Sequence, residues 1–359
     1  MKRIFYKTVY HFFPGFLSWL KAVADFRDQR KITYQPEALL WCGVLLFVTK
    51  LGARRQINFN FNSVQFIRNL SRLCKQKLTR APDDDTLAYF LVGLEVMELY
   101  KVRARMINQL IRNKVLARFR LNGYYTIAVD GTGYLAFRSR HCPRCLVRRK
   151  RGKVLYYYHP VVEAKLVTPN GLALSIETEF VENVSPQQKQ DCELKAFYRL
   201  VSRLKKRFPQ LRICLLLDAL YANETVIKIC EEYHWKYFIT FKPGSLPETY
   251  REYEALRELS REHTVRYQRK GVVQRYCWVN GLNYQFKDRY VVNVLECWEY
   301  HGSTRRHYLW LTNFPIDHYN CHYLANRGAR LRWKTENEGF NMQKHGGYNL
   351  EHAYSKDLR

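Results

Sequence analysis

The sequence contains no apolar run long enough to cross a membrane, so we expect no membrane partner. Its longest such run, Ala38–Val48, is well short of the roughly 20 residues that a spanning helix requires, and it is typical of a buried helix. The first residues, MKRIFYKTVYHFFPGF, carry basic side chains but neither a long apolar segment nor a small-residue cleavage site. We therefore expect a protein that is not secreted and stays in the cytoplasm.

Acidic residues are also few relative to basic ones. Lysine and arginine number 60 against 32 aspartates and glutamates, which gives a formal net charge of +28. The excess is spread along the chain, and it implies a polyanionic partner such as nucleic acid. With 359 residues, of which 47% are hydrophobic, the chain is long enough for two or three domains with buried cores and is not a disordered tail.

The ten cysteines lack the repeated short-spaced pairs of a complete zinc-finger motif. Only Cys142 and Cys145 form such a pair, which is half of a zinc site. His159, or Cys321 with His322, could complete it in three dimensions; the alternative, which we prefer, is a loop with two free thiols. Most of the other cysteines lie in apolar runs and are expected to be reduced.

Residues 1–120 show a helical pattern of apolar residues, interrupted at Pro14, Pro36, Gly52 and Pro82. We predict an all-helical N-terminal domain that binds DNA, with helices near 15–27, 36–51, 63–75, 84–98 and 100–117. The acidic run that starts at Asp83 is interpreted as a helix cap rather than a metal site, because carboxylates stabilise the free amides of a helix N-terminus.

From residue 121 to 245 the pattern becomes that of an α/β protein. Strand-like runs rich in β-branched and aromatic residues predict a three-stranded antiparallel meander. A helix over 188–207, a strand over 212–218, a helix over 223–233 and a strand over 236–241 follow. This is the element order of an RNase H-like mixed sheet, in which the first and fourth strands are neighbours. Asp130 and Asp218, at or near the ends of those strands, are then expected to lie side by side.

Residues 246–315 are predicted to form a helix over 247–262 and a β-rich insertion of hairpins. Residues 316–359 are predicted to return to the core with a short basic helix that carries Glu336 and Glu338. Residues two apart on a helix point about 200° away from each other, so only one of the two glutamates can face the site.

Carboxylates are the ligands that magnesium and manganese prefer, because these hard cations bind oxygen. Two such ions about 3.5–4 Å apart can activate an attacking hydroxyl and stabilise the leaving oxygen of a phosphodiester. Asp130 precedes Gly131-Thr132-Gly133, whose small side chains would let a phosphate backbone approach. The three acids therefore suggest metal-dependent cutting and joining of DNA.

Four segments resemble motifs of the DDE transposases of bacterial insertion sequences, in the cut-and-paste group. They are TIAVDGTG, LLLDALYANETVIK, the LTN of YLWLTNF, and RWKTENEGFNMQKHGGYNLEH. The resemblance covers about residues 123–356. It implies an RNase H-like core, two magnesium or manganese ions held by Asp130, Asp218 and Glu336 (with Glu338 as the alternative), and double-stranded DNA as partner at both element ends and target. It also implies a homodimer on paired ends in a bacterial, nucleoid-associated protein.

The resemblance places the arginine of the family signature at Arg332, but the chain departs from that signature twice. The expected tyrosine is Ala329, and the expected lysine is Gln343, with Lys344 next to it. These departures leave a second interpretation open, in which a transposase-derived protein binds DNA without catalysis. A third is a nuclease that hydrolyses DNA but does not rejoin it.

Several further residues are candidates for DNA contact. The resemblance suggests Trp298 as a stacking partner for a flipped base, although a buried tryptophan of a sheet is the more common case. The basic candidates, which would neutralise phosphates, include a run expected on the loop between the first two strands; they are Arg148, Arg149, Lys150, Arg151, Lys242, Arg332 and Lys344.

Overall fold

The structure is a computed structural model, and it describes residues 2–183, 189–259, 262–269, 271–285 and 287–354. The predicted α/β class is confirmed, because a sheet of ten strands is combined with helices. No helix in this described part of the chain is long and apolar enough to cross a membrane.

The described residues before the sheet form helices only. They are α1 (Lys2–Phe12), α2 (Phe16–Lys21), α3 (Pro36–Val48), α4 (Gln56–Asn60), α5 (Val64–Cys74), α6 (Asp84–Gly93) and α7 (Val96–Arg112). The apolar run in α3 is buried, as predicted, with Leu39 and Trp41 fully enclosed. The Asp83 carboxylate accepts a hydrogen bond of 2.7 Å from the Thr86 amide, which confirms the predicted cap.

The helix boundaries correct the sequence prediction in three places. Helices α1 and α4 were not predicted, and α2 ends at Lys21 rather than near residue 27. The predicted helix 84–98 is divided, because Leu94 is extended and α7 begins at Val96. Gly93 ends α6 where the Phe26 ring packs so closely that a Cβ would lie 2.3 Å from it.

The strands are β1 (Tyr125–Phe137), β2 (Leu146–Lys150), β3 (Lys153–Val167), β4 (Ala173–Phe180), β5 (Ile213–Leu217), β6 (Lys236–Thr240), β7 (Thr264–Arg269), β8 (Val272–Tyr284), β9 (Lys287–His301) and β10 (Thr304–Thr312). Their order across the sheet is β2-β3-β1-β5-β6-β10-β9-β8-β7, and β4 also pairs with β3. Strands β1, β5 and β6 are parallel to one another, whereas the other pairs are antiparallel. The predicted meander and the adjacency of the first and fourth core strands are confirmed.

Two features of the sheet differ from the prediction. The basic run after Leu146 forms strand β2 and the tight turn into β3, rather than a loop, because it pairs with the start of β3. The β-rich segment does not interrupt the sheet but extends it, since Leu311 of β10 pairs with Ile239 of β6. Near its end β10 is apolar without interruption, and Leu309, Trp310 and Leu311 are all buried, which explains this pairing with a core strand.

The remaining helices are α8 (Glu193–Arg207), α9 (Glu224–Glu232), α10 (Pro247–Leu259), α11 (Cys321–Arg327) and α12 (Asn341–His345). Helix α8 begins at Glu193, after an extended Cys192, and not at residue 188, which lies outside the described residues. Helix α10 ends at Leu259, and residues 260 and 261 also lie outside them. Between α11 and α12, a 3-10 segment (Ala329–Trp333) and a π-helical turn (Thr335–Phe340) replace the single predicted helix.

The two faces of the sheet pack against different elements. On one face, Ile127 and Leu215 contact the core formed with α8 and α9. On the other face, Ala128 and Leu216 lie in the core formed with α11 and the 3-10 segment. Because neighbouring residues of a strand point to opposite faces, this second face carries Asp130 and, at the end of β5, Asp218.

Candidate acidic site at the ends of two parallel strands

The parallel pairing of β1 and β5 brings Asp130 and Asp218 to one edge of the sheet. Ala128 of β1 is paired with Leu216 of β5. Asp130 lies two residues after Ala128, and Asp218 lies two residues after Leu216. Strand alternation therefore directs both carboxylates to the same face. The sequence prediction that these two acids are neighbours is met by this register.

Each aspartate is oriented by a nearby backbone amide. The Gly131 amide donates a hydrogen bond of 2.9 Å to Asp130 Oδ1. The Leu220 amide donates a bond of 2.9 Å to Asp218 Oδ1, so that Asp218 caps the short 3-10 turn Ala219–Tyr221. In each carboxylate one oxygen is thus held by a backbone amide.

The two C-terminal glutamates have different neighbours. Glu336 is exposed on the π-helical turn, and its charge contributes to the raised pKa of Asp130. Glu338 instead accepts a hydrogen bond of 2.5 Å from Lys334 Nζ. This arrangement favours Glu336 as the third acid of the site and gives Glu338 a local ion pair.

The pKa of Asp130 is raised above its ordinary value, mainly because the carboxyl is buried. The negative charges of Asp218 and Glu336 raise it further, while Arg332 and the Gly131 amide lower it. Burial is therefore the main reason for the raised pKa, and the neighbouring carboxylates add to it.

Arg332 lies within the acidic site. Its Nη1 is 3.3 Å from Asp130 Oδ2, and its side chain is 19% exposed. Arg332 was predicted to contact DNA phosphates, but its partner in the structure is the first acid. A single arginine therefore supplies the positive charge nearest to Asp130.

Glu193, the first residue of α8, is a fourth acid that the sequence analysis missed. The Tyr221 hydroxyl donates a hydrogen bond of 2.7 Å to its Oε1. Its carboxylate packs against Gly131, where a Cβ would lie 2.6 Å from Oε2. Burial, followed by the charges of Asp130 and Asp218, raises the pKa of Glu193. In the sequence it is indistinguishable from an ordinary acidic residue at a helix start.

The acids form an open arrangement rather than a closed cage. Among the described residues, only Cys142, Cys145 and His159 bring three ligand atoms of His, Cys, Asp or Glu within 4.8 Å of one another. The oxygens of Asp130, Asp218 and Glu336 are more widely spaced than that. As a donor set they nevertheless fit a hard divalent cation, because they are carboxylates whose mutual repulsion such an ion would relieve.

A second buried polar network lies beside the site and was also missed. Glu163 of β3 is paired with Asp130 in the register. Lys165, which is fully buried, donates to the Glu163 carboxylate and to Ser175 Oγ and Gln343 Oε1, the last two at 3.1 Å. Gln343, at the position where the family signature has lysine, thus binds a lysine from a strand. The sequence signal that could have revealed this network is the pair of charged residues, Glu163 and Lys165, inside the apolar run 161–167.

The π-helical turn forms around the Lys165 side chain. A Cβ on Gly339 would lie 2.7 Å from Lys165 Cδ, so a larger residue there would displace the lysine side chain. The Phe340 ring lies 4.4 Å from Lys165 Nζ. Because the same turn carries Glu336, Lys165 helps to position the third acid.

The basic residues predicted to contact DNA are dispersed. Arg148 to Arg151 are exposed on the β2–β3 hairpin. Lys242 is exposed after the end of β6, at the same sheet edge as Asp218. Lys344 binds Glu351 at 2.8 Å. The hairpin and Lys242 are thus available for phosphates, whereas Lys344 already has an acidic partner.

Trp298 does not adjoin the acids. It lies on β9, three strands from β5 across the sheet, or roughly 14 Å at the usual strand spacing. Its ring stacks on His307 at 3.9 Å and lies under the Arg305 guanidinium at 3.9 Å. Its Nε1 donates to Glu296 Oε1 at 3.1 Å. The chain itself thus supplies stacking partners for this tryptophan.

Comparison with known proteins adds little to this picture. No protein-family model matches the chain, and no curated protein matches it. Among solved structures, the chain is similar to the NurA nuclease from Sulfolobus solfataricus, with 11% sequence identity and a TM-score of 0.28 over 65% of this chain and 86% of that one. A similarity of this size carries no argument about fold or function.

Proposed function

We propose that this protein is a DNA transposase of the DDE type, which cuts the ends of a mobile element and joins them to target DNA. The observation that carries the proposal is the placement of Asp130 and Asp218 at the ends of two adjacent parallel strands. Glu336 of the π-helical turn, whose charge acts on Asp130, is the third acid of the proposal.

The core topology supports the same proposal. Strands β3, β1, β5 and β6 are consecutive in the sheet, with β1 and β3 antiparallel and β1, β5 and β6 parallel. Helix α8 follows the meander and α9 connects β5 to β6. We propose that this part of the chain is an RNase H-like core, which β7–β10 extend at one edge.

Magnesium or manganese ions held by Asp130, Asp218 and Glu336 would supply the Lewis acid that phosphodiester cleavage and joining require. The chain's own residues orient the acids: backbone amides hold one oxygen of each aspartate, and Tyr221 holds Glu193. Arg332 places a positive charge at the site, which suits a phosphate group.

The charge of the chain supports a DNA substrate. The net charge is +28, and the β2–β3 hairpin exposes four consecutive basic residues. A further cleft of about 590 Å³ between α7 and the loop before β5 is lined by basic side chains, namely Arg112, Lys114, Arg120, Arg207 and Arg212. Such surfaces neutralise phosphates without reading sequence.

The test is a cleavage assay on a plasmid that carries the protein's own coding sequence with its natural flanking DNA. Asp130→Asn and Asp218→Asn should each reduce cutting in magnesium by at least about a thousandfold, because each removes a charge needed at the reacting phosphate. Asp85→Asn, which changes an exposed aspartate on α6, is the matched control and should cut normally. Undiminished cutting by either site variant would refute the assignment.

Binding and joining separate the alternatives. A DNA-binding protein without catalysis is favoured by the ion pair of Arg332 with Asp130 and by the wide spacing of the acids. In that case the wild-type protein would bind DNA, with an affinity that falls steeply with salt, but would not cut it in either metal. A nuclease would cut without yielding joined products. The proposed transposase yields both cut ends and joined products.

A further inference from the structure

We propose that Cys142, Cys145 and His159 bind one zinc ion, which fixes the base of the basic β2–β3 hairpin. The two sulfurs are 3.6 Å apart. His159 Nε2 lies 3.3 Å from Cys142 Sγ and 3.2 Å from Cys145 Sγ. Two sulfurs and one imidazole nitrogen thus face a common centre, and this centre is separate from the acidic site.

The spacing of these atoms matches a tetrahedral zinc ion. With Zn–S near 2.3 Å and Zn–N near 2.05 Å, tetrahedral angles place two sulfurs about 3.8 Å apart and a sulfur and a nitrogen about 3.6 Å apart. The observed separations are shorter than these by a few tenths of an ångström, so small side-chain movements accommodate the ion. A disulfide would require a sulfur separation near 2.05 Å, and both cysteines are free.

Hydrogen bonds hold the turn that carries the two cysteines. The Cys142 amide donates a hydrogen bond of 3.3 Å to Cys145 Sγ, and the Cys145 amide donates one of 3.3 Å to the Cys142 carbonyl. The Asn183 side chain donates a bond of 2.9 Å to the Cys145 carbonyl and holds the turn from outside. All three ligand side chains are buried, and a fourth zinc position remains for water or a further group.

The structure also distinguishes between the two sets of further zinc ligands that the sequence left open, His159 or Cys321 with His322. His159 of β3 is paired with Leu135 of β1, directly beside the turn that carries the two cysteines. Cys321, in contrast, lies against the His318 carbonyl at 3.8 Å, and His322 stacks on Tyr267. Cys321 and His322 therefore serve as natural controls.

The position of the cluster indicates a structural role. His159 is four residues from Glu163 along β3, or roughly 13 Å at the usual rise, so the ion is not part of the acidic site. It joins the turn before β2 to the middle of β3, and β2 carries Arg148 and Arg149. The ion would hold these arginines in place for phosphate contact. Binding of the ion does not depend on whether the acids are catalytic.

The first experiment is the metal content of the purified full-length protein, measured by mass spectrometry of the elements. We expect one zinc per chain in the wild type, and at least a tenfold reduction in Cys145→Ser and in His159→Ala. Cys321→Ser, which changes another buried cysteine, and His322→Ala should each keep the full content. A wild type without zinc, or controls that lose it equally, would overturn the proposal.

A second experiment avoids variants that fail to fold. The wild type is stripped with a chelator under reducing conditions and titrated with cobalt, which should yield the absorption of a tetrahedral thiolate complex at one equivalent. Zinc should displace the cobalt, and magnesium should not, because thiolates prefer the softer ion. Zinc should also protect two thiols from a thiol reagent. Absence of the cobalt spectrum together with absence of protection would refute the site.

Discussion

The acidic site and the cysteine–histidine cluster lie on neighbouring parts of one sheet, with Asp130 on β1 and His159 on β3, but their side chains are arranged in opposite ways. In the cluster, three ligand atoms lie 3.2–3.6 Å apart. At the acidic site the carboxylates share one sheet edge but remain farther apart, and burial and like charge raise the pKa of Asp130 and Glu193. Thiols and imidazole pack together while neutral, whereas carboxylates repel one another until a cation binds.

The two sites also depend on different parts of the chain. The cluster is formed by residues within a segment of fewer than twenty positions, between Cys142 and His159. The proposed acidic site includes Glu336, and the C-terminal segment that carries this residue is tied to β3 through the hydrogen bond between Lys165 and Gln343. The cysteine–histidine cluster is therefore formed by a local segment. The acidic site forms only when the sheet and the C-terminal segment have come together.

After the two aspartate variants, the largest expected effect tests which glutamate belongs to the acidic site. Glu336→Gln should reduce DNA cutting at least about a hundredfold, because it removes a charge that acts on the reacting phosphate. Glu338→Gln, the matched change two residues away, loses only its ion pair with Lys334 and should retain activity within about threefold. The measurement is the initial rate of plasmid cleavage in magnesium. The reverse order of the two rates would transfer the role to Glu338.

The next effect tests the buried network around Lys165, which lies beside the acidic site. Lys165→Met should lower the free energy of unfolding by roughly 3–5 kcal/mol, because it leaves the buried Glu163 carboxylate without its cation. Lys153→Met, at the exposed start of β3, should change it by less than about 0.5 kcal/mol. Urea unfolding of both variants and the wild type provides the comparison. A loss below about 1 kcal/mol for Lys165→Met would show that the network contributes little.

The smallest effect tests the repulsion that distinguishes the acidic site from the cluster. The pKa of Glu193 is higher in the folded protein than in the unfolded chain. Its carboxyl therefore costs no stability below the unfolded pKa. The cost grows as pH rises from the unfolded to the folded pKa, and it is constant above the folded pKa. Glu193→Gln should accordingly stabilise the protein at pH 7 by an amount on the order of 1 kcal/mol.

That gain should disappear at low pH, where the carboxyl is protonated in both states. Thermal unfolding across the pH range, without divalent cations, is the measurement. Cys145→Ser, which changes the cysteine–histidine cluster, should show no comparable gain at pH 7. A gain for Glu193→Gln that persists unchanged at low pH would mean that packing, not charge, is its cause.

The sequence predicted much of the core and part of the site. Apolar runs that end at Asp130 and Asp218 identified two strands, because such runs are local patterns in the sequence. The order of the predicted elements then made the two acids neighbours. The pairing of β10 with β6 was missed, since nothing within either strand specifies a partner some seventy residues away. The single predicted C-terminal helix was wrong for a related reason, because the turn is shaped by contact with Lys165 on a distant strand.

By itself, the sequence determined the α/β class, the order of the core elements, the basic character of the surface and two of the acids at the sheet edge. Only the tertiary structure decided that Glu193 joins them, that Arg332 faces Asp130, that Lys165 meets Gln343, and that His159 rather than Cys321 completes the cysteine pair. The physical reason is that hydrophobic periodicity is encoded within a few neighbouring residues. Contacts between polar side chains from distant segments are determined by the packing of the whole chain.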